Sequence, residues 1–364
     1  MRERSSIKAV AFATAILLGL CEVQGFSQEQ SVAAIVKRPL TVQRANIPIS
    51  KGEKLVMVLS SSHFIKERHE GGEYSILEVD SAGEKPIVSG MAPMRDFSYS
   101  KLSSRLCFWE DKDFVIVNLE TGTISRITAI GTNKVRWFAT ISPPGTEILY
   151  FQENRNDLSS ATVNDWSIII RDLQTGSERE IAKGSMAKWS PGGNLIAFTR
   201  AEGVKGDWTF YIWVVKSDGT ELRKLSSSKG MAGWPVSWSG DGKYLMELDA
   251  YGNLHIVNVA KDSATLIPAT RFGADTKTYY REYLGASWVP GNKYIFAQVA
   301  LTSKIQDEAV IGVESYLVSV DGTQITKLDL PKGASNFVFL NDSALVFRDK
   351  DGLWNKANIG GTEK

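Results

Sequence analysis

One sequence element recurs along the chain at a spacing of roughly 40 to 50 residues. Its clearest copy spans residues 187–225, where a turn at Ser190-Pro191-Gly192-Gly193 precedes an apolar strand. A second turn, at 217–220, separates two further predicted strands. Glycine in these turns supplies the positive φ that tight hairpins need. Together with the short strand that precedes it, this unit predicts a four-stranded antiparallel meander.

Each unit carries two marks that keep the same phase. The first mark is a turn followed by an apolar strand, and it recurs at 49–58, 99–108, 141–151, 189–199, 238–245, 288–296 and 339–347. The second mark is a later hairpin turn, at 80–83, 119–122, 173–176, 217–219, 259–262, 320–322 and 358–361. Two marks at one period predict an all-β fold, a seven-bladed β-propeller of four-stranded antiparallel blades. A six-bladed propeller is the alternative, if the weak second or seventh unit is not a full blade.

The last unit ends just after its second mark, so it lacks an outer strand. Residues 33–44 precede the first unit and have no partner within it. We therefore expect this segment to complete the last blade and to close the ring, which removes the open edge between the first and last blades. The prediction is a single propeller domain over residues 26–364.

The N-terminus has the features of a secretory signal peptide. Arg2, Arg4 and Lys8 precede an apolar run at 9–20 that is too short to cross a bilayer. We predict a signal peptide at 1–25, cleaved near Gly25, and hence an exported, periplasmic or secreted protein with no transmembrane segment. A lipid anchor at Cys21 is disfavoured because Leu20, just before it, is not small.

Charge and cysteine content narrow the possible partners. The chain has 42 basic and 41 acidic residues, so no electrostatic attraction to nucleic acid is expected. Beyond the signal peptide, only Cys107 remains, and its apolar strand predicts a buried, unreactive side chain. The chain is expected to act as a monomer and to need no cofactor.

The repeat resembles the TolB-type β-propeller repeat, and more broadly repeats of the WD kind. The resemblance rests on Trp-Ser-Pro-Gly-Gly at 189–193, on the Ser-Asp-Gly-Thr turn at 217–220 and on Trp-Ser-Gly-Asp-Gly at 238–242. It implies a propeller fold and an exported location. TolB carries a separate N-terminal α/β domain, which this chain has no room for, so the resemblance does not imply that this chain is TolB.

Catalytic and metal motifs are sparse. His63 and His69 fall in a predicted polar loop at a spacing that suits no helical ligand pair, and His255 falls in a predicted strand. No Gly-x-Ser-x-Gly motif marks a nucleophile. We therefore predict no metal site and no catalytic residues.

Binding residues are expected on one face of the ring. The longer insertions, at 61–73, 152–165, 201–208, 226–234, 271–284 and 302–314, fall between second and third strands or between blades, which meet at the same face. Trp189, Trp238 and Trp288 share a repeat position and are expected to pack between blades. The aromatic and cationic residues of the insertions are the binding candidates, namely Arg155, Trp166, Trp208, Trp234, Tyr279, Tyr280 and Arg281.

These features favour a non-catalytic exported propeller that binds a protein, peptide or glycan at its loop-rich face. The alternative is a hydrolase or lyase that acts on a carbohydrate or lactone in the central funnel. An enzyme would gather carboxylates or histidines at the funnel, whereas a binding module would spread aromatic and arginine side chains over the rim.

Overall fold

The computed structural model describes residues 36–38, 40–45, 47, 49–50, 53–60, 62–130, 134–154, 166–204, 207–225, 236–249, 253–273, 276–305 and 309–359. These residues belong to a compact unit that spans Ala33–Lys364. The predicted signal peptide lies outside the described residues. None of the helical segments that are described is long and apolar enough to span a membrane.

The strands form seven sheets arranged in a ring, which is a seven-bladed β-propeller. Blades one and two contain β3 (Lys54–Ser60), β4 (His63–Glu70), β5 (Glu73–Asp80), β6 (Gly83–Met91), β7 (Met94–Ser100), β8 (Arg105–Glu110), β9 (Asp113–Asn118) and β10 (Ile124–Thr128). Blades three and four contain β11 (Lys134–Ile141), β12 (Glu147–Asn154), β13 (Ser167–Asp172), β14 (Glu178–Lys183), β15 (Ser185–Trp189), β16 (Leu195–Val204), β17 (Asp207–Lys216) and β18 (Arg223–Lys224).

The remaining blades follow the same order. Blade five contains β19 (Ser237–Trp238), β20 (Tyr244–Leu248), β21 (Asn253–Asn258) and β22 (Ser263–Pro268), and a 3₁₀ helix at Ala269–Phe272 follows it. Blades six and seven contain β23 (Tyr279–Trp288), β24 (Tyr294–Ser303), β25 (Val310–Ser319), β26 (Ile325–Leu328), β27 (Ser335–Asn341), β28 (Ala344–Arg348) and β29 (Trp354–Asn358). The first strand of each blade lies innermost, at the central channel.

The N-terminal segment closes the ring. Strand β2 (Thr41–Arg44) pairs antiparallel with β29, with Val42 opposite Ala357, and so becomes the outer strand of blade seven. Strand β1 (Val36–Arg38) instead pairs in parallel with β26 and adds a fifth strand to blade six. The segment predicted to complete one blade therefore joins two neighbouring blades.

Four of the expected insertions contain regular strands. Residues 201–204 and 207–208 belong to β16 and β17, and residues 302–303 and 310–314 belong to β24 and β25. Residues 63–70, expected within a polar loop, form β4, because this stretch pairs with β5 through a two-residue turn at Gly71 and Gly72. His63 and His69 are therefore strand residues, which corrects the loop assignment. The expected loop at 271–284 likewise contains the 3₁₀ helix and the first half of β23.

Apolar side chains fill the spaces between neighbouring blades. The second strand of each blade is buried over most of its length; in β8, for example, Leu106, Cys107 and Phe108 are fully buried. Burial raises the pKa of the Cys107 thiol to about 12, so the thiol is neutral at ordinary pH. Cys107 is thus a buried residue of the core, as predicted.

A tryptophan at one repeat position links three pairs of neighbouring blades. The indole Nε1–H of Trp189 donates to the Thr140 carbonyl oxygen at 3.3 Å. Trp238 donates to the Lys188 carbonyl at 3.2 Å, and Trp288 to that of Ser237 at 3.1 Å. Each bond joins an inner strand to the inner strand of the preceding blade. This geometry confirms that the three tryptophans pack between blades.

Replacing Trp238 with Phe should lower the free energy of unfolding by about 1–3 kcal/mol, because the Lys188 carbonyl loses its donor. Trp213 is a matched control, since it is also half-buried and its Nε1 has no hydrogen-bond partner in the described part of the chain. Trp213→Phe should therefore cost less. Urea denaturation of both variants tests this, and equal losses would contradict a stabilising role for the indole–carbonyl bond.

Candidate functional site

Three of the predicted binding residues lie together in the inner strand of blade six. Tyr279, Tyr280 and Arg281 open β23 and are all half-buried. The Arg281 guanidinium lies 5.4 Å from the ring centroid of Tyr279, and its Nε is 3.7 Å from a carboxylate oxygen of Glu314. The Arg281 side chain is only 10% exposed, so blade six already neutralises most of its charge. Their role in ligand binding stays a prediction.

The other predicted binding residues are separate from this cluster. Trp166 stands before β13 and stacks on Phe151, with ring centroids 5.3 Å apart, so it packs on its own blade. Trp208 lies in β17 opposite Gly203. Arg155 and Trp234 lie outside the described residues.

The second and third strands of two blades extend into long hairpins. Strands β16 and β17 pair from Leu195–Lys216 to Val204–Asp207, and β24 and β25 are also ten residues each. The blade-six hairpin exposes aliphatic side chains near its end. Ile305 is 71% exposed, and Val310, Ile311 and Val313 are each about half exposed. We call these four residues the blade-six apolar tip.

A bulge interrupts the inner strands of blades two, three, four and seven at a common position. Asp96, Phe138, Met186 and Asn336 each adopt a positive φ, between 52° and 56°. Pairing with the second strand resumes two residues later, at Ser98, Thr140, Lys188 and Val338. A bulge changes the direction in which the following side chains point. The residues that follow these four bulges therefore occupy equivalent positions beside the channel.

A cavity of about 700 Å³ lies beside the inner strands of blades two to six. Its walls also include the turns that follow those strands, at Lys101, Pro143 and Pro191. These turns lie on the face opposite the extended hairpins, because a strand's two ends meet opposite faces of a blade. The cavity and the blade-six apolar tip are therefore at different faces of the ring.

Lys188 is the notable polar residue of this cavity. Burial lowers the pKa of its ammonium, and the negative charge of Asp96 offsets part of that shift. Because Asp96 belongs to blade two and Lys188 to blade four, this attraction acts across the channel. Within the described residues, no carboxylate lies close enough to Lys188 Nζ to form an ion pair.

An acidic and histidine cluster lies in blade five. Glu247 on β20 faces His255 on β21, and Asp249 follows β20. The His255 Nε2 is 2.8 Å from an Asp249 carboxylate oxygen. His255 Nδ1 and Glu247 Oε1 are buried without a hydrogen-bond partner in the described ranges. None of the three residues of this cluster lines the central cavity.

The two carboxyls of this cluster have opposite pKa shifts. Burial raises the pKa of Glu247 to about 8, and the charge of Asp249 acts in the same direction. Burial also acts to raise the pKa of Asp249, but hydrogen bonds from His255 and Asn253 outweigh it, so the Asp249 pKa is lowered. Near neutral pH, Asp249 is therefore ionised, whereas Glu247 is mostly protonated.

The other two histidines are also strand residues with close partners. His63 Nε2 is 2.7 Å from Glu78, and the His69 ring stacks on Tyr74 at 4.4 Å between centroids. No group of three His, Cys, Asp or Glu side chains in the described ranges has the geometry to hold a metal ion.

Neither family models nor curated protein sequences match this chain. Solved structures do resemble it. An oligogalacturonate lyase from Vibrio parahaemolyticus aligns over 91% of this chain and 100% of its own, with 11% identity and a TM-score of 0.59. One of two prolyl endopeptidases aligns over 85% of this chain and 51% of its own, with 15% identity and a TM-score of 0.55. TolB from Acinetobacter baumannii aligns over 73% of this chain and 63% of its own, with 16% identity and a TM-score of 0.43.

The first two likenesses show the fold alone, because the identities are low. A lyase and a peptidase share this architecture, so the fold does not select an activity. Function has to be argued from the side chains of this chain.

Stability should depend on pH through Glu247. Its pKa is about 8 in the folded state and about 4.5 when unfolded, so between these values the folded state keeps a proton that the unfolded state has lost. Stability should therefore fall as pH rises from about 4.5 to about 8, by an amount on the order of a few kcal/mol. Chemical denaturation across this range measures the effect.

The variant Glu247→Gln should flatten this pH dependence, because its amide does not titrate. Glu73→Gln changes an exposed carboxyl and serves as the matched control, which should keep the wild-type slope. An unchanged slope in Glu247→Gln would show that the acid of blade five does not cause the pH dependence.

Proposed function

We propose that the chain is an exported, non-catalytic binding module that holds a protein or peptide partner at the face of the extended hairpins. The observation that carries this proposal is the blade-six apolar tip. Its four aliphatic side chains are half exposed or more, at the end of a regular hairpin. Exposed apolar groups gathered at one place are characteristic of interaction surfaces.

A groove beside the hairpin extends this surface. Leu284 and Val313 of blade six and Phe337 of blade seven line a groove of about 400 Å³ between the two blades. Leu284 is itself 44% exposed. Aliphatic surface of this kind favours a protein or peptide over a glycan, because sugar rings pack best on exposed aromatic faces, and the described Trp166 is stacked on Phe151.

The binding free energy available at the blade-six apolar tip follows from the apolar surface that a partner would cover. Fully burying an exposed aliphatic side chain contributes about 1.5–3 kcal/mol, and these four are about half to 71% exposed, so covering each contributes about 1–2 kcal/mol. The four together supply a substantial part of the roughly 8 kcal/mol of a micromolar complex, before the cost of association is subtracted. The tip should accordingly be the energetic centre of the interface, and Tyr279, Tyr280 and Arg281 its neighbours on the inner strand.

Photo-crosslinking in the native cells tests the binding surface. A photoreactive phenylalanine derivative at Ile311 should yield a protein adduct, because that side chain would be covered by the partner. Leu222 is the matched control, since it is 43% exposed on a turn at the opposite face. Adding Ile305→Asp and Val313→Asp should remove the Ile311 adduct. Equal adducts at both positions, or none at Ile311, would contradict the proposal.

We also propose that the mature protein is exported after cleavage of residues 1–25, on the basis of the basic start and the short apolar run that follows it. N-terminal sequencing of the protein from its native source should find Phe26 as the first residue. A retained Met1 would contradict export by this route, and a lipid-modified Cys21 would replace the soluble form with an anchored one.

A further inference from the structure

Three side chains form a polar row across blades three, four and five. Thr140, Lys188 and Ser237 occupy equivalent positions, because the carbonyl oxygen of each accepts the indole N–H of the next blade's repeat tryptophan. All three line the central cavity. The row therefore places a lysine between a threonine and a serine at equivalent positions of adjacent blades.

No protein acceptor satisfies these donors among the residues that the structure describes. Thr140 is 6% exposed, and its Oγ1 is buried without a hydrogen-bond partner. The Lys188 ammonium and the Ser237 hydroxyl likewise have no hydrogen bond to the described residues. Lys188 and Ser237 are half-buried and line the cavity, so an anionic group in the cavity can pair with the Lys188 ammonium, whose charge is disfavoured by burial.

The serine hydroxyls elsewhere in the wall differ from this row. Ser98 Oγ accepts from the Ile141 N–H at 3.1 Å, and Ser190 Oγ accepts from the Leu195 N–H at 3.1 Å. These hydroxyls fix the inner strand and the turn after it. The polar row is the part of the wall whose donors are not used to build the blades.

The size and walls of the cavity fit a small organic molecule. Its volume of about 700 Å³ falls in the range of ligand sites, roughly 300–1,000 Å³. Phe97, Tyr99, Val236 and Trp238 supply apolar and aromatic wall surface near the polar row. A ligand with an acidic group and a flat apolar body would use both parts of the wall.

We propose that this cavity binds a small organic anion, whose single acidic group pairs with Lys188 and accepts a hydrogen bond from Ser237. The apolar body of the ligand packs against Tyr99 and Trp238. Lys188 supplies one positive charge and Asp96 already acts on it from blade two, so a ligand with a single acidic group is preferred over a polyanion. The site is at the opposite face from the blade-six apolar tip, and the inference is independent of the proposed protein-binding function.

The test uses 1-naphthoate as the probe and 1-naphthamide as its neutral analogue of similar shape. Isothermal titration calorimetry of the purified protein should show naphthoate binding at least tenfold more tightly than naphthamide. Lys188→Met should abolish this preference for the charged probe, whereas Lys188→Arg should retain it. Ser237→Ala should weaken naphthoate binding by several-fold, because one hydrogen bond is lost.

Lys101→Met is the matched control, because Lys101 lines the same cavity but is exposed at its rim. This variant should keep the preference for naphthoate. Thermal melting of Lys188→Met without probe checks folding, and its melting temperature should rise because a desolvated, unpaired ammonium is removed. Equal affinity for both probes, absence of naphthoate binding at millimolar concentration, or an unchanged preference in a folded Lys188→Met variant would each overturn the proposal.

Discussion

The packing of each blade against the next is the constraint on which the whole structure depends. A four-stranded sheet of this size has two apolar faces and cannot bury either alone, so the ring has to close before any blade is stable. The tryptophan–carbonyl bonds act at the narrowest part of this contact, where inner strands converge. Pairing of Thr41–Arg44 with β29 closes the ring, so backbone hydrogen bonds as well as side-chain packing hold the last blade to the N-terminal segment.

The same packing explains where chemistry can be placed. Inner strands leave little room for side chains beside the channel, and the bulges at Asp96, Phe138 and Met186 are the points where the strands turn their next residues toward it. Among the equivalent positions, Ser98, Thr140 and Ser237 are small and polar, and Val338 is apolar. Lys188 departs from this pattern by placing a long cation there. A repeat unit that is otherwise structural thus acquires a polar group with a cavity in front of it.

The sequence alone predicted the repeat, seven blades with six as the alternative, and the packing role of Trp189, Trp238 and Trp288; the structure shows seven blades. Turn glycines and apolar strands are local properties, and a period kept over the whole chain leaves few architectures that can bury every unit. The sequence also contained the signal for Lys188, since it stands just before a repeat tryptophan, where the units on either side have Thr140 and Ser237.

Tertiary structure decided what local patterns could not. Residues 63–70 are predicted from the sequence as a polar loop because their charged residues do not alternate clearly with apolar ones. In the structure they form a strand that pairs with β5, and Lys66 in it forms ion pairs with Glu53 and Glu84. Arg281 read as an available cation, but Glu314 lies 33 residues away and reaches it only across the folded blade. The raised pKa of Glu247 and the unpaired donors of the cavity depend on burial and on contacts between blades. Such properties arise from distances through space, which a single sequence does not specify.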